Sequence, residues 1–128
     1  VLLLLILPTQ LPRWAEMLIG MLVGLIMDVC NNSLGVHMAA CVAISFWRPI
    51  LLKKSSQDIE RIKGEISSLN IGMIEYMKCA LILVMTHHFM VFMLEAWSLH
   101  NWWMIILQTL LSSILTLLAI FGYEIIRR

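Results

Sequence analysis

"GMLVGLIMDVCNNSLGVHMAA" (Gly20–Ala40) is the stretch on which the fold turns. It starts as an apolar run, breaks at Asp28, Cys30, Asn31, Asn32 and Ser33, and resumes at Leu34. A carboxylate, two amides and His37 therefore interrupt two oily stretches. Such a break is either a site or a turn between membrane helices, and composition favours the turn. Of the 128 residues, 61% are hydrophobic and 13% charged, and mean hydropathy is +0.91. An ordinary soluble domain is about 45–50% apolar and about 25% charged. A single core in a chain this short cannot absorb the excess, because much of its surface stays exposed. An integral membrane protein follows.

Working outward, four segments approach the roughly 20 apolar residues that cross about 30 Å of hydrocarbon. They are Ala15–Val29, Leu34–Leu52, Ile74–Ala96 and Trp102–Ile126. Val1–Leu7 reads as the tail of a fifth, stopped by Pro8 and Pro12, since proline cannot continue a helix. Opening on Val1 inside an apolar run, the chain is expected to lack one or more upstream membrane segments. This start has neither the basic region nor the small-residue cleavage site of a signal peptide. The expected fold is an all-α polytopic transmembrane bundle, with four full helices plus the end of a fifth, in one domain over residues 1–128.

Charge orients the bundle. Arg13 lies in the first connection, and Arg48, Lys53, Lys54, Arg61 and Lys63 lie in the long one after Trp47. Arg127 and Arg128 close the chain. The intervening connections, Cys30–Ser33 and Trp97–Asn101, carry no Lys or Arg. Basic connections mark the cytoplasmic side, so residues 48–70 and the C-terminus are expected inside. Trp97, Trp102 and Trp103 then belong to the outer headgroup belt, and Trp14 and Trp47 to the inner one. In the cytoplasmic loop Lys53–Asn70, Ile59, Ile62, Ile66 and Leu69 share one helical face. A helix on the membrane surface, a dock for a protein partner and a solvated linker all fit that pattern.

Gly20 and Gly24 form a GxxxG pair, expected to pack closely on a neighbouring helix of the same bundle. Gly35 is expected to let the next helix pack closely at its first turn. Ser33 or Asn32 is expected to cap that helix. Asp28, His37, His87, His88 and Glu95 are the intramembrane polar groups, which ordinarily face protein or water. His87 and His88 point about 100° apart, and neither has a metal-ligating residue three or four positions away. Helix-to-helix hydrogen bonds or a partner contact are expected of them, and no metal or cofactor. Glu75 and Lys78, and Glu124 and Arg127, are pairs at i,i+3, read as interfacial anchors. Cys30, Cys41 and Cys79 form no disulfide framework. A net charge of +1 with no basic stripe argues against nucleic acid. No GxSxG, HExxH or P-loop pattern is present, so no enzymatic role is expected.

Gly20, Gly24, Asp28, Leu34, Gly35 and His37, followed by Ala39, Ala40 and Ala43, resemble the signature half of the rod shape-determining MreD family. Arg48–Pro49 and "THHFMVFMLEAWSLHNWW" (Thr86–Trp103) are similar to versions from the Bacteroidota. The resemblance covers nearly all of the chain and lies in order and spacing rather than in one motif. It implies a multi-pass inner-membrane scaffold of the bacterial cell elongation machinery. Such a scaffold would organise peptidoglycan-synthesis partners, with an MreC-like protein among them, and would have no catalytic activity and no small-molecule substrate. It also implies a fold similar to the substrate-binding subunits of vitamin transporters. The alternative function is therefore small-molecule capture, with Asp28, His37, Glu95, Trp97 and His100 converging on one outward cavity.

Overall fold

The computed structural model describes residues 1–8, 10–55, 72–96 and 102–127; for 52–55 it describes the backbone alone. Helix is the only regular element among the described residues. The helices are α1 (Leu2–Ile6), α2 (Arg13–Asn31), α3 (Val36–Ser55), α4 (Met73–Ala96) and α5 (Trp102–Arg127). Most of the expected loop helix, Trp97, His100 and Arg128 lie outside the described residues.

Three helices, α2, α4 and α5, are long and apolar enough to cross a membrane. The expectation was four. The apolar part of α3 ends at Leu51, because Arg48 lies within the helix and Lys53 and Lys54 close it. Arg48 and Pro49 lie inside the expected Leu34–Leu52 segment, though they were also counted with the cytoplasmic connection; the helix runs through them to Ser55. α1 is a five-residue helix, yet its Leu4 and Leu5 are fully buried.

Packing follows chain order. α2 lies on α3, α3 on α4, and α4 on α5, while α1 touches α2 and α4. Two hairpins, α2/α3 and α4/α5, thus meet along the α3–α4 seam. The apolar core fills that seam with Cys41 and Ile44 from α3 against Tyr76, Cys79, Ala80, Leu83 and Val84 from α4.

The outer faces are apolar instead. The buried residues of α2 are Glu16, Gly20, Gly24 and Asp28, while Leu22, Ile26 and Val29 are exposed. This inversion, polar and small inside with large apolar side chains outside, is what a lipid solvent selects. α5 repeats it in part, burying Thr109, Ser113 and Glu124 together with Ile105 and Ile120 along one stripe. Glu124, read as an interfacial anchor, is 1% exposed and so points into the bundle. The Glu75–Lys78 pair does lie at the surface, with an N–O distance of 2.8 Å.

Candidate functional site

Gly20 and Gly24 bring α2 into backbone contact with α3. A Cβ on Gly24 would overlap Met38 Cα and lie 2.7 Å from His37 O and Met38 N. A Cβ on Gly20 would overlap Ser45 Oγ and lie 2.9 Å from Cys41 O. Real Cβ atoms do not sit so close, so only glycine permits this approach. Gly35 acts differently. Its φ is +81°, and the nearest atom to a Cβ there is Met38 Cε at 3.7 Å. Its role is the left-handed turn conformation, not the close packing expected of it.

The turn is closed from both sides by Asp28. Asn32 adopts φ 54°, and the N–H groups of Asn32 and Ser33 both donate to Asp28 O, which terminates α2. The Asp28 carboxylate then reaches across to the start of α3. It accepts from His37 N–H at 2.9 Å and Met38 N–H at 2.9 Å. These are two of the amides left unpaired at a helix N-terminus. A cap was expected from Ser33 or Asn32; it comes instead from the preceding helix. Ser33 Oγ donates to Asp28 Oδ1 at 2.5 Å, and His37 Nδ1 lies 3.1 Å from the same oxygen.

Asp28, Ser33 and His37 have the composition of a catalytic triad but not its connectivity. Ser33 bonds the carboxylate directly, and both groups meet the imidazole at the same nitrogen, Nδ1. No base stands between hydroxyl and acid, as the triad mechanism requires. With four donors on it, the carboxylate also has little left to offer a ligand.

From His37 a series of ring contacts continues across the seam. The His37 and His87 rings are 6.5 Å apart, and those of His87 and His88 are 5.4 Å apart. His88 Nε2 lies 2.9 Å from Thr116 Oγ1, whose own proton goes to Ser112 O at 2.8 Å. His88 Nε2 therefore carries the hydrogen of that pair. Adjacent histidines pointing about 100° apart thus serve different helices: His87 faces α3 and His88 faces α5. One row of side chains, Asp28–His37–His87–His88–Thr116, touches all four long helices, hydrogen-bonded at its two ends and joined by ring proximity between the histidines. Glu95 is not part of it; it is exposed near the end of α4. Among the described residues, no three His, Cys, Asp or Glu are arranged to hold a metal ion.

One cluster escaped the sequence reading. Arg48, 1% exposed, donates from Nη1 to Glu16 Oε1 at 2.6 Å. Its Nη2 donates to Leu5 O at 3.3 Å and to Leu7 O, the carbonyls at the end of α1. A single guanidinium therefore ties α1, α2 and α3 together. The signal was present: Glu16, Gly20, Gly24 and Asp28 recur every four residues, so the glycine face extends by one acidic residue at each end.

Two surface grooves are apolar. Met85, Thr86, Phe89, Ile106, Thr109 and Leu110 line about 320 Å³ between α4 and α5. Ile44, Trp47, Leu51, Ile82, Leu83 and Thr86 line about 230 Å³ between α3 and α4. Thr86 and Thr109 donate to their own helices, to Ile82 O and Ile105 O. Neither groove contains Asp28, His37 or Glu95. The fold so described is a helical bundle with three membrane-length helices. No protein-family model, curated protein or solved structure matches the chain.

Proposed function

We propose that this protein is a non-catalytic scaffold of the bacterial inner membrane, of the rod shape-determining MreD kind, that organises partners of the cell elongation machinery. In this reading α3 also crosses the bilayer, and residues 48–70 and the C-terminus are cytoplasmic. The fold is then akin to that of vitamin-transporter substrate-binding subunits, without their function.

One observation carries the reading. The residues behind the family resemblance, Gly20, Gly24, Asp28 and His37, are engaged with one another in holding α2 on α3. What remains for interaction is the apolar outside of the bundle, where a partner's membrane helix packs laterally. Photo-crosslinking in native membranes tests this, with the reactive group at Ile26 on α2, at Phe89 on α4 and in the loop 56–70. A scaffold captures a membrane protein of the elongation complex, and depleting it rounds the cells. Adducts to lipid alone, with unchanged cell shape, would sink the proposal.

A further inference from the structure

We infer that α5 is a self-association face: two copies of this chain pack α5 against α5 in the membrane, joined by a hydrogen-bonded pair of Gln108 side chains. The inference does not depend on the family reading.

α5 meets α4 through its buried stripe, from Ile105 to Glu124. On the opposite side Met104, Gln108, Leu111, Leu115, Leu118 and Gly122 follow one another at alternating steps of four and three. That is the spacing of a helix–helix seam. Leu111, Leu115 and Leu118 are 61%, 72% and 63% exposed. A Cβ on Gly122 would meet nothing within 4 Å, so a neighbouring backbone can come close there. An apolar row alone is what any lipid-facing helix shows. Gln108 separates this one from the rest. It is exposed and has no hydrogen-bond partner among the described residues. It lies six residues beyond Trp102, about 9 Å along the axis. Indoles sit at headgroup level, so the amide lies below it, in hydrocarbon, where an unpaired amide is costly.

The occupant must supply a donor and an acceptor at that depth. Two copies of one chain insert with the same topology, so their α5 helices run parallel and equal residue numbers meet at equal depth. A primary amide carries both a donor and an acceptor and is therefore complementary to itself across a two-fold axis. A second copy meets the requirement by symmetry; an unrelated helix meets it only if it carries a polar group at that level.

The test uses the full chain in its native membrane, with the exposed Cys30 replaced by serine; Cys41 and Cys79 are buried. Single cysteines are placed on the row (Leu111→Cys, Leu115→Cys, Leu118→Cys) and off it on exposed positions of the same helix (Leu110→Cys, Ile114→Cys), which are 44% and 56% exposed. Mild oxidation is expected to give a disulfide-linked dimer at least about fivefold more abundant on the row, because parallel helices bring only row Cα atoms within disulfide reach. Adding Gln108→Leu to Leu115→Cys is expected to lower the dimer about three- to fifteenfold, the range of one interhelical hydrogen bond. Gln108→Asn is expected to retain most of it. Membrane levels of each variant show that the bundle still forms. Equal crosslinking on and off the row, no dimer on the row, or capture of a different protein by Leu115→Cys would each overturn the inference.

Discussion

Replacing Gly24 with alanine adds one methyl group where α2 lies directly against the backbone of α3. The new Cβ overlaps Met38 Cα and lies 2.7 Å from His37 O and Met38 N. All three are backbone atoms in the first turn of α3, so no rotamer change relieves the clash. Contacts between non-bonded carbons settle at about 3.5–4.0 Å, so the helices must part by about 1 Å. Asp28 stands one turn further along α2 and feels the displacement directly. Its bonds to His37 N–H and Met38 N–H, both 2.9 Å, then stretch past hydrogen-bonding range. Overpacking costs about 1–3 kcal/mol, and losing one hydrogen bond to a charged group about 1.5–3 kcal/mol. A loss of about 3–5 kcal/mol is expected, at the upper end for a point substitution. The assay is reversible unfolding of dilute protein in mixed micelles, followed by tryptophan fluorescence, beside two other glycine-to-alanine variants. At Gly20 the clash is with the rotatable Ser45 Oγ and with Cys41 O, so about 1–3 kcal/mol is expected. At Gly122 nothing is met, and alanine's helix propensity adds about 0.5–1 kcal/mol of stability. Three equal shifts, or a Gly24→Ala loss below about 1 kcal/mol, would refute the view that backbone approach holds α2 on α3.

Other substitutions probe the polar contacts. Arg48→Met leaves Glu16 buried and unpaired, so a loss of about 3–5 kcal/mol is expected; combining it with Glu16→Leu should recover most of that in a double-mutant cycle by the same unfolding assay. Asp28→Asn turns an amide N–H toward the amides that the carboxylate accepts from, which costs about 1–3 kcal/mol and should appear as faster hydrogen exchange at His37 and Met38. Thr116→Val removes the His88 contact, and unfolding should register about 0.6–1.7 kcal/mol. Lys78→Ala breaks only an exposed pair, so its unfolding free energy should stay within about 0.5 kcal/mol of the parent.

Much of this was legible without coordinates. The apolar runs placed helices at Ala15–Val29, Ile74–Ala96 and Trp102–Ile126, against Arg13–Asn31, Met73–Ala96 and Trp102–Arg127 in the structure. The length of hydrocarbon to be crossed sets those limits. The Gly20–Gly24 spacing pointed to a close helix contact. Leu34–Leu52 likewise placed α3, but Arg48 within it was read only as a charge of the cytoplasmic connection, not as a buried group. α3 continues there because Glu16 and two α1 carbonyls receive the guanidinium. With Arg48 buried, the charge asymmetry of the following connection rests on Lys53, Lys54, Arg61 and Lys63.

The amino-acid sequence alone determined that this chain is a set of apolar helices, that a polar turn divides Gly20–Ala40, and that Gly20 and Gly24 share one face. Those properties depend on composition and on the 3.6-residue period, both local. Only the tertiary structure decided that Asp28 caps α3, that Arg48 answers Glu16, and that His37, His87, His88 and Thr116 fall on one line. Such pairings depend on the rotation and depth of each helix relative to its neighbours. A helix such as α4, apolar on nearly every side, does not encode its own rotation. It takes its orientation from the few polar and small residues that must meet partners on adjacent helices.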